Sequence, residues 1–385
     1  MIFKNLLIKN CTILNPETKK YFFGNILIED GIIAKISKEA KFKDAKYDSW
    51  ADEIDAEGRL TVPGLTDMHA HVYNRNDSIG VEPDEYCVKR GVTLVVDAGT
   101  SGTATFEDFK SNIIDQSDTT VKAFINLSST GLQNPGREFR DIGKLDYLGI
   151  PNLYKQYKNE IIGIKIRISE NIAGKNAGQL LKYAVQTGEK TRLPVMVHPS
   201  NSLLLLDEIL GSLHKGDIFT HCFHNSNTGI LDADLKIKKC VRNALDKGII
   251  FDVGHGAGSF SYKVAEASIK QGFLPHTIST DLHAKNPKRP DLPYVLSKFL
   301  ALGMSIEDAI ERATVGPIRA LNLKKNTKLA VGGITDFVIF DIKTGNFNFE
   351  DSYGYRFAGN KLICPLVTVY GKNLFRIEDI TNNKW

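Results

Sequence analysis

The sequence predicts an α/β fold in which a (β/α)8 TIM barrel is joined by a small, discontinuous β-sandwich domain. Eight strand-like segments recur at roughly thirty-residue intervals from residue 60 onward, which is the repeat expected of such a barrel. Helix-like stretches separate several of them, most clearly at 177–186 and 305–321. The remaining sequence shows only short strand patterns, and the chain of 385 residues suits one large barrel with an appendage.

Both ends of the chain carry the pattern of an all-β unit. Turn signals such as Asp30-Gly31 separate the short apolar runs. These runs are found at 6–8, 12–14, 25–28, 32–36, 337–340 and 366–370. We therefore predict that residues 1–58 and 327–385 pair into one small β-sandwich, and that residues 59–326 form the barrel.

The barrel strands are predicted from apolar, β-branched runs that alternate with helix-like sequence. These runs lie at 60–62, 93–97, 122–127, 163–168, 194–198, 218–221, 249–253 and 277–281. In a TIM barrel the functional site lies at the carboxyl ends of the strands. Residues that suit chemistry are therefore expected at the ends of these segments.

Composition and charge exclude several classes of protein. The formal net charge is +4 and the lysines are scattered, so binding to nucleic acid is not expected. The five cysteines include no CxxC pair, which is typical of reduced thiols in the cytoplasm. Lys4 and Lys9 interrupt the N-terminal apolar run, and no segment approaches the ~20 apolar residues of a membrane span. We expect a cytoplasmic protein without a membrane or nucleic-acid partner.

The first candidate ligands are the pair His69-x-His71, which follows the apolar run at 60–62. Residues two apart on a strand project from the same face, so both imidazoles could reach one metal ion. Taken alone, the pair could also be two exposed loop histidines. The rest of the chain decides between these interpretations.

Four further candidates lie in or at the ends of predicted strands, namely Lys165, His198, His221 and Asp281. Each has a structural alternative: His198 could be hydrogen-bonded beside the barrel core, and Asp281 could cap a helix. His224 competes with His221, although His221 lies nearer the strand end. The recurrence of ligand-type residues at separate strand ends favours a metal site.

Lys165 is the most informative of these residues because it interrupts an otherwise apolar strand. Burial of an unpaired ammonium group is costly. The structural interpretation is an ion pair with an inward-facing carboxylate. The functional interpretation is that CO2 converts the amine to a carbamate, whose two oxygens can bridge two divalent ions.

This ordered set of residues resembles the amidohydrolase superfamily in its binuclear form with a carboxylated lysine. Three segments make the sequence similar to the amidohydrolase/deacetylase, or dihydroorotase-like, group of metallohydrolases. They are GIKIR at 163–167, FDVGHG at 251–256 and STDLH at 279–283. The resemblance covers essentially the whole chain, including the split β domain.

The resemblance implies two divalent metal ions, with Zn²⁺ favoured by the imidazole and carboxylate ligands. The implied ligands are His69, His71 and Asp281 for one ion, His198 and His221 for the other, and a CO2-derived carbamate on Lys165 between them. It further implies a shared hydroxide that attacks a carbonyl. Asp281 would take the hydroxide's proton as general base and deliver it to the leaving group as general acid.

The substrate contacts follow from the positions of two segments near these ligands. Arg167 lies two residues after Lys165, on the same side of the strand, where it could bind a substrate carboxylate or form an ion pair within the barrel. The glycines of the loop at 254–259, including Gly256, permit close approach, and its N–H groups could hold an anion. His255 could orient the substrate or an oxyanion. Weaker candidates at the border of the pocket are Tyr73, Asn126 and His283.

These residues and the resemblance together predict a hydrolase that removes an acyl group, with acetyl favoured, from a small carboxylate-bearing amide or ester. A cyclic amide hydrolase of the dihydroorotase or hydantoinase type is the alternative among enzymes. A non-catalytic barrel subunit is the alternative outside enzymes, and the full set of ligands argues against it. Related barrels lead us to expect a homo-oligomer.

Overall fold

The computed structural model describes residues 1–38, 51–75, 78–133, 135–136, 138–139, 142–286 and 291–377. Two parts of the predicted terminal domain, at 39–50 and 378–385, therefore lie outside the described residues. No helix in the described part of the chain is long and apolar enough to cross a membrane.

The described residues contain strands β1 to β15 and helices α1 to α11. The strands are β1 (Asn5–Asn15), β2 (Lys20–Glu29), β3 (Ile32–Ser37), β4 (Asp52–Asp55), β5 (Leu60–Pro63), β6 (Leu65–Ala70), β7 (Val92–Ala98), β8 (Thr120–Asn126), β9 (Ile161–Arg167), β10 (Val195–His198), β11 (Ile218–Phe219), β12 (Ile250–Phe251), β13 (Asp336–Glu350), β14 (Arg356–Tyr370) and β15 (Asn373–Arg376). The helices are α1 (Pro83–Tyr86), α2 (Phe106–Phe109), α3 (Ile150–Gln156), α4 (Glu170–Ala173), α5 (Ala177–Thr191), α6 (Leu206–Ser212), α7 (Lys239–Lys247), α8 (Tyr262–Lys270), α9 (Leu292–Ala301), α10 (Ile306–Glu311) and α11 (Val315–Ala320).

Both ends of the chain meet in one sheet of eight strands. The order is β15-β14-β13-β5-β1-β2-β3, with β4 paired to β1. Apolar side chains from both ends, among them Ile8, Ile28 and Val369, pack into one buried cluster. Strands from both ends of the chain therefore belong to one sheet, in which β5 joins β1 to β13.

Strands β6 to β12 form a seven-stranded parallel sheet in which each strand neighbours the next one in sequence. Strands β6 and β7 are buried along their whole length, as expected where a parallel sheet is covered on both faces. The segment 277–282 contacts both edges of this sheet, since Thr277 bridges to Asp252 and Leu282 to Ala70. The sheet is thus curled so that its first and last strands approach the same segment.

The prediction that residues 60–62 form the first barrel strand is wrong. These residues belong to β5, which pairs with β1 and β13 in the terminal sheet. The chain passes to β6 at Gly64, where a Cβ atom would lie 1.9 Å from Asp336 Oδ1 and 2.2 Å from Thr93 Oγ1. Only glycine permits this close crossing, and the barrel-type sheet begins at Leu65.

Three further elements differ from the prediction. Residues 6–8 and 12–14 lie in one strand, β1, which is interrupted by an irregularity in its pairing with β2. The stretch 305–321 forms two helices, because Pro317 lacks an amide hydrogen and is tolerated in the first turn of a new helix. The segment 277–281 makes only isolated bridges, and Asp281 takes a left-handed φ of 49° that ends the extended conformation.

Candidate metal centre and active site

Side chains from the carboxyl ends of strands β6, β9 and β10, together with Asp281, line one cavity of about 230 Å³. His69 lies in β6, Lys165 and Arg167 in β9, and His198 ends β10. The described residues that line this cavity are His69, His71, Ile79, Pro135, Gly136, Lys165, Arg167, His198, Asp281, His283 and Lys285. His221 lies behind the wall, with its ring centroid 4.2 Å from that of His198 and 5.0 Å from that of His69. The structure therefore brings all six predicted ligands together.

His69, His71 and Asp281 form the tightest cluster. Asp281 Oδ1 lies 3.2 Å from His69 Nε2 and 3.1 Å from His71 Nε2. One ligand atom from each residue falls within 4.8 Å of the others. Asp281 reaches this position because its backbone N–H donates to the His69 carbonyl at 2.6 Å. No helix in the described residues begins at Asp281, so the capping alternative does not apply.

The other ring nitrogen of each histidine contacts an oxygen that orients the imidazole. His69 Nδ1 lies 2.8 Å from Thr220 Oγ1, and His71 Nδ1 lies 2.7 Å from Thr100 Oγ1. His221 Nδ1 lies 2.6 Å from the Gly254 carbonyl, which can only accept, so Nδ1 carries the proton. His221 Nε2 then carries a lone pair. This atom is buried and has no hydrogen-bond partner among the described residues. A metal-ligating histidine commonly donates its second N–H in this manner.

Burial lowers the pKa of His71 to about 3 and places the pKa values of His198 and His221 well below the usual range. His69 differs: burial and Lys165 lower its pKa, but Asp281 and Asp252 outweigh them and raise it. The same contacts act on Asp281, because burial would raise its pKa but His69 and His71 hold it well below normal. A cation or a proton is thus favoured between His69 and Asp281.

Lys165 is 1% exposed and projects into this cluster. Its Nζ lies 3.1 Å from His69 Nε2 and 3.3 Å from Met196 Sδ. Within the described part of the chain no carboxylate lies at ion-pair distance from it, so the structural interpretation as a salt bridge is not supported. Burial lowers the pKa of Lys165 to about 7, which makes an uncharged amine accessible near neutral pH.

Arg167 lines the cavity, as the sequence predicted for a substrate contact. It also makes an ion pair within the barrel, which was the alternative interpretation. Its Nη1 donates to Glu138 Oε1 at 2.9 Å, and the Glu138 side chain is fully buried. The contact uses one nitrogen of a guanidinium that carries five N–H donors. Sequence reasoning missed Glu138, which lies in a segment without strand or helix periodicity and offers no local signal.

The loop after β12 does not act as the sequence suggested. The N–H groups of Gly254, His255 and Gly256 donate to Ser279 Oγ, the Ser279 carbonyl and the Thr280 carbonyl. They are therefore committed to structure, and the predicted anion cradle is wrong for these three amides.

His255 and Gly256 do not line the described cavity. His255 Nε2 accepts from Lys298 Nζ at 2.8 Å, and burial with Lys298 places its pKa well below the usual range. A Cβ atom at Gly256 would lie 2.4 Å from Asp281 Oδ2, so this glycine makes room for the carboxylate. Gly256 thus supports the site without facing the cavity.

The weaker candidates divide into two groups. Tyr73 donates to Asp108, and Asn126 donates to the Gly99 carbonyl, so both serve the packing of the barrel. His283 lines the cavity, and its buried Nδ1 has no hydrogen-bond partner in the described structure. His224 Nδ1 accepts from the Ser226 amide, which agrees with a loop role.

Comparisons with known proteins agree with this arrangement. The model of the Amidohydrolase family matches residues 60–369. A protein named deacetylase from Brucella anthropi is 36% identical over 347 residues, which cover 89% of this chain and 85% of that protein. A protein named deacetylase from Enterococcus faecalis is 31% identical over 366 residues, which cover 91% of this chain and 99% of that protein.

Two solved structures are similar over nearly the whole chain. One described as a dihydroorotase is 33% identical with a TM-score of 0.87, covering 97% of this chain and 98% of that one. One described as an adenine deaminase is 31% identical with a TM-score of 0.87, covering 96% of this chain and 99% of that one. The predicted superfamily is confirmed, and this chain belongs to the amidohydrolase family.

Proposed function

We propose that this protein is a metal-dependent deacetylase that hydrolyses the acetyl amide or ester of a small carboxylate-bearing compound. One observation carries the proposal: His69 and His71 turn Nε2 toward the same oxygen of Asp281, while Nδ1 of each ring contacts a threonine hydroxyl. Unprotonated imidazole nitrogens and a carboxylate oxygen at this spacing repel one another unless a proton or a metal cation lies among them. The names of the relatives support acetyl as the acyl group.

The donor set fits divalent ions, and zinc in particular, because zinc prefers imidazole nitrogen and carboxylate oxygen. The residues that would hold one ion are His69, His71 and Asp281. His198 and His221 would hold the second ion, and the unpartnered Nε2 of His221 supports this assignment. A CO2-derived carbamate on Lys165 would link them. The depressed pKa of the amine supports this, as does the lack of a carboxylate at ion-pair distance from it among the described residues.

When bound, such ions supply an activated water and polarise the acyl carbonyl. Asp281 is ionised at neutral pH because neighbouring histidines hold its pKa low, so it can accept a proton from the attacking water. It then returns that proton to the departing nitrogen or oxygen as the acyl bond breaks. The two transfers are sequential, so one carboxylate is sufficient for both.

Arg167 is proposed to bind the carboxylate of the substrate. It lines the same cavity as Asp281, and its side chain is 21% exposed. Glu138 orients the guanidinium through Nη1, which leaves further donors for a second carboxylate. The nearby Lys285 adds positive charge to the cavity wall.

A cyclic amide hydrolase of the dihydroorotase or hydantoinase type is the second candidate. The similarity to a structure described as a dihydroorotase favours it, because that chain is matched over 98% of its length. A carboxylate-bearing cyclic amide would make the same contact with Arg167. A non-catalytic barrel subunit remains a third hypothesis, and metal analysis separates it from both enzymes.

The finer features of the predicted architecture belong to the same proposal. We propose a closed (β/α)8 barrel from about residue 64 to residue 326, and a small β-sandwich that the two ends of the chain form together with β5. The bridges of 277–282 to both sheet edges support closure. The pairing of β5 in the terminal sheet suggests that the boundary between the domains lies nearer Gly64. We further propose that the protein is cytoplasmic and forms a homo-oligomer.

The test joins metal analysis with a substrate panel. We expect about two zinc ions per purified chain and turnover of N-acetyl or O-acetyl acids in preference to dihydroorotate and hydantoins. Protein equilibrated with ¹³C-bicarbonate should show a carbamate resonance that is absent from Lys165→Met. Turnover of cyclic amides alone would establish the second candidate, whereas a metal-free, inactive chain would support the non-catalytic subunit.

A further inference from the structure

Asp252 is a fully buried carboxylate that lies outside the cavity lining, directly after β12. It accepts hydrogen bonds from three hydroxyl groups, those of Thr220, Thr277 and Ser279, each at 2.7 Å. A buried charge requires such compensation. The three donors come from the ends of neighbouring parallel segments, so the carboxylate ties these segments together behind the metal cluster.

The direction of the hydrogen bonds follows from the chemistry of the groups. An ionised carboxylate only accepts, so the single hydroxyl hydrogen of Thr220 points at Asp252. The lone pairs of Thr220 Oγ1 then face His69 Nδ1, which lies 2.8 Å away and must supply the proton. Asp252 Oδ2 is farther from the same nitrogen, at 3.5 Å. The chain of contacts from Asp252 through Thr220 to His69 thus holds the ring proton on Nδ1.

Gly254 lets Thr220 and His69 approach each other. Its φ is +45°, and a Cβ atom there would lie 2.4 Å from Thr220 Oγ1 and 2.9 Å from His69 Nδ1. Its carbonyl also accepts from His221 Nδ1. A side chain at this position would displace the hydroxyl or the ring.

We propose that Asp252 and Thr220 are positioning residues that hold His69 with its Nε2 lone pair aimed at the cavity and thereby set the affinity of the site for its metal ion. This inference rests on the proposed metal-dependent function. Neither residue is among those that line the cavity. Their effect is transmitted through one proton, whose position on His69 determines whether Nε2 can act as a ligand.

The test compares two threonines that donate to the same carboxylate. Thr220→Val removes the hydroxyl that contacts His69, whereas Thr277→Val removes a hydroxyl that also donates to Asp252 at 2.7 Å but has no contact with the ring. Thr220→Ser keeps the hydroxyl group and removes only the methyl group. If Thr220→Val does not fold, Thr220→Ala removes the same hydroxyl without branched bulk.

Zinc affinity is measured by competition with a chelator, and the tautomer of His69 by ¹⁵N NMR of the metal-free, histidine-labelled protein. We expect Thr220→Val to weaken zinc binding about 10–100-fold, with Thr220→Ser and Thr277→Val within roughly threefold of the natural protein. The nitrogen shifts of His69 should indicate protonation at Nδ1 in the natural protein and in Thr277→Val, and mixed protonation in Thr220→Val.

The inference would be overturned if Thr220→Val had the zinc affinity and the His69 nitrogen shifts of the natural protein. It would also be overturned if Thr220→Val and Thr277→Val lost zinc affinity equally, because Asp252 would then have a purely structural role. A natural protein that binds no zinc would instead overturn the proposed function. The NMR measurement on the metal-free protein keeps the two outcomes distinct.

Discussion

The two sheets of this protein bury different kinds of side chain. The terminal sheet encloses Ile8, Ile28 and Val369 in one apolar cluster. The carboxyl edge of the parallel sheet instead buries His69 and Lys165 beside several carboxylates. Apolar burial stabilises a fold, whereas burial of ionisable groups is costly without compensation. The difference indicates that the terminal sheet serves stability and that the carboxyl edge is retained for chemistry.

The sharpest test of this contrast is Asp281→Asn. An amide cannot take and return the proton, so we expect kcat/KM to fall about 10²–10⁴-fold. The unfolding temperature of the metal-free protein should fall less than it does for a truncation in the apolar core, because removal of a buried charge also removes its desolvation cost. Steady-state assays, thermal unfolding and zinc analysis on the same preparation check this. Activity that survives with full metal content would exclude Asp281 as the proton carrier.

Ile8→Ala should produce the opposite result. Ile8 is 0% exposed in the terminal cluster, and its truncation should lower the free energy of unfolding by about 2–5 kcal/mol. The kcat of the folded fraction should not change, because the residue is remote from the cavity. Denaturant unfolding with Ile32→Ala as a matched control, since Ile32 is 39% exposed in the same sheet, separates burial from side-chain identity. A loss of kcat in folded Ile8→Ala would show that the two sheets are coupled.

Arg167→Met should have the smallest effect of the three and the most selective one. Loss of a charge-assisted hydrogen bond predicts a rise in KM of roughly 10–150-fold for an acetylated acid and little change for its neutral methyl ester. The double variant Arg167→Met/Glu138→Gln is the control, because it removes the unpaired buried Glu138 that the single variant leaves. It should recover stability without recovering the preference for a carboxylate. An unchanged preference in both variants would remove Arg167 from the substrate contacts.

The prediction of a hydrolase of the amidohydrolase superfamily is confirmed by the family match and by the deacetylase relatives. It succeeded because candidate ligands such as His69 and Lys165 recur near strand ends, where local sequence alone indicates both the strand and its terminus. The role of each residue stays a prediction. The shared cavity gives all of them the proximity that those roles require.

Local sequence gave the wrong prediction where a segment could belong to either sheet. Residues 60–63 have the apolar pattern of any buried strand, and nothing in them states that their partners are β1 and β13. The prediction of an anion-binding loop failed for a related reason. The sequence does not reveal that the N–H groups of Gly254, His255 and Gly256 donate hydrogen bonds to the segment that contains Ser279 and Thr280. In both cases the deciding partners lie outside the local segment.

The sequence by itself determined the residue types of the site and their order along the strands, since hydrophobic periodicity and ligand chemistry are local properties. Only the tertiary structure decided which oxygen orients each imidazole. Thr220, Asp252 and Thr100 are ordinary polar residues in the sequence, and they gain meaning from contacts with His69 and His71 across the sheet. Hydrogen-bond direction depends on distances between separate strands, and no local pattern contains that information.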